Sequence, residues 1–88
     1  MKKVVTIRNK LGLHARTSAQ FVTLAGQFSC DIQLQRDDMI VNGKSLMAIL
    51  TLAASQHTNI TIMTDGEQAE QALNALVLLV EQGFGEEL

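Results

Sequence analysis

This chain of 88 residues has no proline, tryptophan or tyrosine, one cysteine, and only three phenylalanines, Phe21, Phe28 and Phe84. So few aromatics leave it without the platforms on which single-strand nucleic-acid binders stack bases. A formal net charge of −2 also denies it the basic stripe that grips a phosphate backbone. No stretch approaches the roughly 20 apolar residues of a membrane span. The opening Met1-Lys2-Lys3-Val4-Val5 is expected to lead into a strand and not to form a signal peptide. Cys30 has no partner for an internal disulfide and lies in an apolar alternation, where it reads as a small core residue of a reducing compartment. No repeat, linker or low-complexity segment divides the chain, so residues 1–88 form one domain. The expectation is a soluble, cytoplasmic monomer that binds neither nucleic acid nor membrane.

What the chain does have is 47% apolar residues, mostly Leu, Ile, Val and Ala, enough for a core near the lower size limit of an unaided domain. Alternation predicts a first strand from about Lys2 to Arg8. Asn9-Lys10-Leu11-Gly12 forms a loop, and Arg16 to about Gln27 is helical, with Ala19, Val22, Leu24 and Ala25 inward and Phe21 at the edge of that face. Phe28, Cys30, Ile32 and Leu34 mark a second strand. Arg36-Asp37-Asp38 turns into a third strand over Met39–Asn42, without the glycine that such turns favour. A short helix is expected from Ser45 to about Ala54, a fourth strand over Asn59–Thr64 and a long helix from Glu67 to Gln82. Gly83 ends that helix, and Phe84–Leu88 is expected to be a mobile acidic tail. The order is βαββαβα, consistent with a two-layer α+β sandwich, and the pattern alone does not choose the strand order.

The run Gly12-Leu13-His14-Ala15-Arg16-Thr17-Ser18-Ala19 places a histidine where a strand gives way to an amphipathic helix. Unpaired N–H groups, the positive end of a helix dipole and a guanidinium two residues on make a phosphate cradle. A neutral imidazole there can accept a phosphoryl group on its nucleophilic nitrogen. The competing reading is a plain N-cap beside a solvated charge.

The chain resembles the HPr family of bacterial phosphotransferase-system phosphocarriers over essentially its whole length. The resemblance rests on Asn9-Lys10-Leu11-Gly12-Leu13-His14-Ala15-Arg16, on Gly43-Lys44-Ser45-Leu46-Met47 before a short apolar helix, and on Gly66-Glu67 at the start of the last helix. The ending Gly83-Phe84-Gly85-Glu86-Glu87 is similar to the nitrogen-related branch, NPr. The resemblance implies an open-faced β-sandwich, an antiparallel sheet of order 1-4-2-3 with three helices on one face. It implies that His14 takes a phosphoryl group on Nδ1 from an Enzyme I-type donor and passes it to an EIIA-type acceptor, with Arg16 holding phosphate oxygens. The protein is then a carrier and not an enzyme, needing no cofactor or metal of its own. In the nitrogen branch the relay regulates nitrogen, carbon or potassium handling instead of moving sugar. The family usually has proline after the arginine. Thr17 stands there instead, adding a candidate cradle donor and removing some rigidity.

Ser45 reads as a helix cap. The resemblance adds that the matching serine is a regulatory phosphorylation site in bacteria with a dedicated kinase. Gly43-Lys44-Ser45 is no P-loop, because the pattern wants glycine where Asp38 stands. By resemblance, Ala19, Gln20 and Thr23 with the exposed members of Leu46, Met47 and Leu50 form a partner-docking patch; ordinary core packing is the alternative for each. His57 has no Cys, Asp or His at ligand spacing and reads as a surface histidine. The rival function is a non-catalytic regulatory module, either an HPr-like paralogue or an ACT-like small-ligand domain.

Overall fold

A computed structural model describes all 88 residues. Strands β1 (Lys2–Thr6), β2 (Cys30–Arg36), β3 (Met39–Asn42) and β4 (Asn59–Gly66) form one antiparallel sheet in the order β1-β4-β2-β3. β4 is central: Val5 faces Ile60 on one side, and Leu34 faces Ile62 on the other. Side chains alternate across a strand, so Ile60, Ile62 and Thr64 point into the core while Asn59, Thr61 and Met63 lie on the other face. Cys30, Ile32 and Leu34 do the same in β2, which places the lone cysteine in the core as expected.

Helices α1 (Ala15–Ala25), α2 (Leu46–Leu50) and α3 (Ala69–Glu81) cover that apolar face. In α3 the buried residues Ala72, Leu73, Leu76, Val77 and Val80 form one stripe at helical spacing. In α1 the buried stripe is Thr17, Ser18, Phe21 and Ala25. Phe21 is therefore the centre of that face and not its edge, while Val22 and Leu24 are only partly buried. Two small hydroxyl residues in the stripe hid its true phase from a purely apolar reading.

Other boundaries shift for local reasons. β1 ends at Thr6 and β2 begins at Cys30, inside the expected spans. α3 begins at Ala69 because Gln68 takes a left-handed backbone (φ +64°), and its side chain accepts a hydrogen bond from the Ser29 N–H at 2.9 Å. α2 stops at Leu50, and bonds three residues back from Thr51, Leu52 and Ala53 tighten the chain toward Ala54. Asp37 supplies the positive φ, +53°, that glycine would have given the β2–β3 turn.

The largest correction concerns the C-terminal segment. Residues Gly83–Gly85 form a 3₁₀ turn, Phe84 is buried, and the Lys10 N–H donates to the Glu87 carbonyl at 2.9 Å. The segment expected to be mobile is packed against the loop after β1. Gly83 is in the left-handed region, φ +65°, which turns the chain off α3 toward Asn9.

Candidate functional site

The site begins at Gly12, whose φ of +66° favours glycine and whose added Cβ would stand 2.5 Å from the Ala54 carbonyl oxygen. That close approach lets the Leu13 N–H donate to the same carbonyl at 2.8 Å. The loop is thereby fixed to the end of the α2 segment, and His14 is delivered as the N-cap of α1 in an extended conformation.

His14 and Thr17 cap the helix reciprocally. The Arg16 N–H donates to His14 Nδ1 at 3.2 Å, and the His14 N–H donates to Thr17 Oγ1 at 3.1 Å. The Thr17 hydroxyl in turn donates to the Gly12 carbonyl at 2.8 Å, and the side chain is fully buried. The hydroxyl expected to join the phosphate cradle is therefore turned inward, where it braces the loop.

The other ring nitrogen faces the C-terminal segment. His14 Nε2 lies 3.0 Å and 3.1 Å from the two carboxylate oxygens of Glu86. Asn9, completely buried, donates through Nδ2 to the Gly12 carbonyl and to Glu86 Oε1, both at 2.9 Å. Arg16 Nε is 3.8 Å from Glu86 Oε2, with the arginine side chain 71% exposed and that of Glu86 only 10%. The hydrogen bond with His14 holds the Glu86 carboxyl below its ordinary range, aided by the Asn9 bond and the positive charges, against a smaller opposing effect of burial. α1 has no acidic residue in its first turn. The anion favoured at that helix end comes from Glu86, 70 positions beyond Arg16 in sequence.

These contacts assign the ring proton. Nδ1 accepts an N–H, so its lone pair faces the helix terminus, and Nε2 carries the hydrogen donated to Glu86. The result is a partly exposed imidazole with a nucleophilic nitrogen beside backbone N–H groups and a guanidinium. It can form a bond to an electrophilic phosphorus, and the surrounding donors can stabilise the charge brought with it.

The side chains of His14 and Arg16 thus both reach Glu86. Glu86 and Asn9 were not singled out in the sequence. The signal available for Glu86 was Phe84, a large apolar residue in a glycine-rich acidic end, which argues for docking. Ser45 caps α2, its Oγ accepting from the Ala48 N–H at 3.3 Å. Ala19 and Gln20 are half-buried and Thr23 is exposed on α1, which packs against α2. On α2, Leu50 is half-buried while Leu46 and Met47 are exposed, Met47 at 72%. His57 lies on the surface, away from the core. No helix is long and apolar enough to cross a membrane.

Comparison with known proteins agrees with this geometry. Residues 1–82 match the PTS-HPr family model, described as the PTS HPr component phosphorylation site. The phosphocarrier protein HPr of Pseudomonas aeruginosa is 49% identical over 83 residues, 93% of this chain and 92% of that protein. HPr of Cupriavidus necator is 41% identical over 98% of this chain and 97% of that protein. The crystal structure of HPr-C-His from Thermoanaerobacter tengcongensis superposes with a TM-score of 0.96 at 43% identity, covering 100% of this chain and 99% of that one. A four-stranded open sandwich with such relatives defines a phosphocarrier, a protein that bears a phosphoryl group without being an enzyme. The chain belongs to the HPr family of the phosphotransferase system.

Proposed function

We propose that His14 is the phosphoryl-accepting residue, taking the group on Nδ1 from an Enzyme I-type donor and passing it to an EIIA-type acceptor, with Arg16 engaging the phosphate oxygens. The observation that carries this reading is the division of labour on the imidazole: Nε2 is tied to Glu86, while Nδ1 presents its lone pair toward the first turn of α1. Arg16, largely exposed and only loosely placed against Glu86, is free to swing onto an incoming phosphate with its planar fork. Thr23, Leu46 and Met47, exposed on the α1–α2 pair, with half-buried Ala19, Gln20 and Leu50 beneath, form the docking surface for donor and acceptor, where adaptable Met47 suits successive partners.

The nitrogen-related branch is the relay we favour, on the strength of the Gly83-Phe84-Gly85-Glu86-Glu87 ending. An ACT-like ligand domain is set aside by membership of the HPr family. The test is incubation with phosphoenolpyruvate and a cognate Enzyme I. One acid-labile, alkali-stable phosphoryl group is expected, absent from His14→Ala and acquired about ten- to a hundredfold more slowly by Arg16→Ala, the loss of one charge-assisted contact. Acid-labile phosphate on the His14→Ala chain would move the site elsewhere.

A further inference from the structure

The last carbonyls of a helix lack intrahelical donors and lie at the negative end of its dipole. α2 has no basic residue in its last turn to meet them. The cation comes instead from the end of β2. Arg36 Nη1 donates to the Leu52 carbonyl at 2.6 Å and to the Ala53 carbonyl at 3.0 Å. Asp37 and Asp38 follow Arg36 in sequence, yet neither forms an ion pair with it, and the half-buried guanidinium is directed at the backbone. Between the two bonds stands a strained residue: Ala53 has φ +48°, a left-handed conformation that costs an alanine energy. We infer that Arg36 is a positioning residue for phosphoryl transfer: it locks the turn Leu52–Ala54, and that turn sets the placement of the loop that delivers His14. The inference rests on His14 being the accepting residue.

The route from Arg36 to the imidazole runs through two backbone contacts. The Ala54 carbonyl, one residue past the clamp, accepts the Leu13 N–H at 2.8 Å. It also lies so close to Gly12 that a side chain there would collide with it. Ala54 and Leu13 are both buried, so a displacement of one is passed to the other. His14 follows Leu13 directly and caps α1 from an extended backbone. A shift of the Ala54 carbonyl therefore re-aims the Nδ1 lone pair, and transfer depends on that lone pair being in line with the bond that breaks. Arg36 touches neither the ring nor the phosphate and acts only through the turn.

The docking surface is held separately. The start of α2 is fixed by the Ser45 cap and by fully buried Ile49, so loss of Arg36 leaves Leu46 and Met47 in place. Asn9 and Thr17 brace the His14 loop through the Gly12 carbonyl. Loosening the turn thus displaces the loop without unfolding it. A lysine at position 36 keeps the charge but lacks the planar fork that fixes the arginine on both carbonyls.

The experiment compares the full-length chain with Arg36→Ala and Arg36→Lys. Amide hydrogen exchange is followed at Leu13 and along the central strand β4, with circular dichroism as the check on folding. Initial rates of phosphate gain from the phosphorylated donor and of loss to an acceptor are measured over a range of carrier concentrations. In Arg36→Ala the Leu13 amide is expected to exchange about tenfold faster while the β4 amides keep their protection, the mark of a local opening. Turnover should fall about three- to tenfold in both directions, the scale of a small misalignment, at an unchanged half-saturating concentration. Arg36→Lys should recover part of both effects. Wild-type turnover in the alanine variant overturns the inference, as does a change confined to half-saturation, which would place Arg36 in the docking surface. Protection lost equally at Leu13 and in β4 also overturns it, because Arg36 would then serve general stability alone. A wild-type chain that takes no phosphate on His14 is a different failure, overturning the carrier reading and this inference with it.

Discussion

The Thr17 hydroxyl donates to the Gly12 carbonyl at 2.8 Å and accepts from the His14 N–H at 3.1 Å. One buried side chain thus ties the loop that delivers the histidine to the helix the histidine caps. Replacing it with the isosteric valine removes both side-chain bonds, leaving the His14 N–H only its 3.1 Å bond to the Gly12 carbonyl and that carbonyl its bond from Asn9. Thr17→Val should therefore cost about 1–2 kcal/mol in urea unfolding, within the range of a lost cap or buried hydrogen bond. A variant as stable as wild type would show that the hydroxyl is incidental.

Ser45 offers a separation of stability from function. Its Oγ caps α2 through the Ala48 N–H, and aspartate is an equally good cap with a charge that suits a helix start. Ser45→Asp should keep the wild-type melting temperature and slow phosphoryl transfer, because the new charge stands beside exposed Leu46 and Met47. Ser45→Ala should do the reverse, costing roughly 0.5–2 kcal/mol. Equal transfer rates for the aspartate variant and wild type across salt concentrations would place Ser45 outside the docking surface.

The pH dependence of stability follows from Glu86. Its pKa is lowered in the folded chain, first by the hydrogen bond with His14, so the folded state favours the ionised carboxylate. The contribution is present above the ordinary carboxylate range and lost as pH falls through the lowered folded value. Melting temperatures of wild type and Glu86→Gln should therefore differ in favour of wild type at neutral pH and converge in acid. A gap that persists unchanged as acid protonates the carboxylate would point to packing and not to charge.

The strand order and all the main elements were legible, the order through family resemblance and the elements through alternation in β2 and β4 and the strong stripe of α3. The strand–helix junction that carries His14 and Arg16 was legible from the loop Asn9–Gly12 and the helical pattern that follows it. Phe21 was misplaced because Thr17 and Ser18, hydroxyl residues, share its buried face. Glu86 was missed for a different reason. Its meaning depends on a contact across 72 positions, created by a left-handed glycine and a single buried phenylalanine. Local composition, which reads glycine and glutamate as solvent-loving, points the other way.

In the proposed transfer, the lone pair of His14 Nδ1 forms the bond to phosphorus while Nε2 keeps its hydrogen on Glu86. The most direct measurement is nitrogen NMR of the phosphorylated chain labelled with ¹⁵N-histidine. One-bond nitrogen–phosphorus coupling is expected on Nδ1 of His14, with a hydrogen still on Nε2. Coupling on Nε2, or on His57 in place of His14, would contradict it.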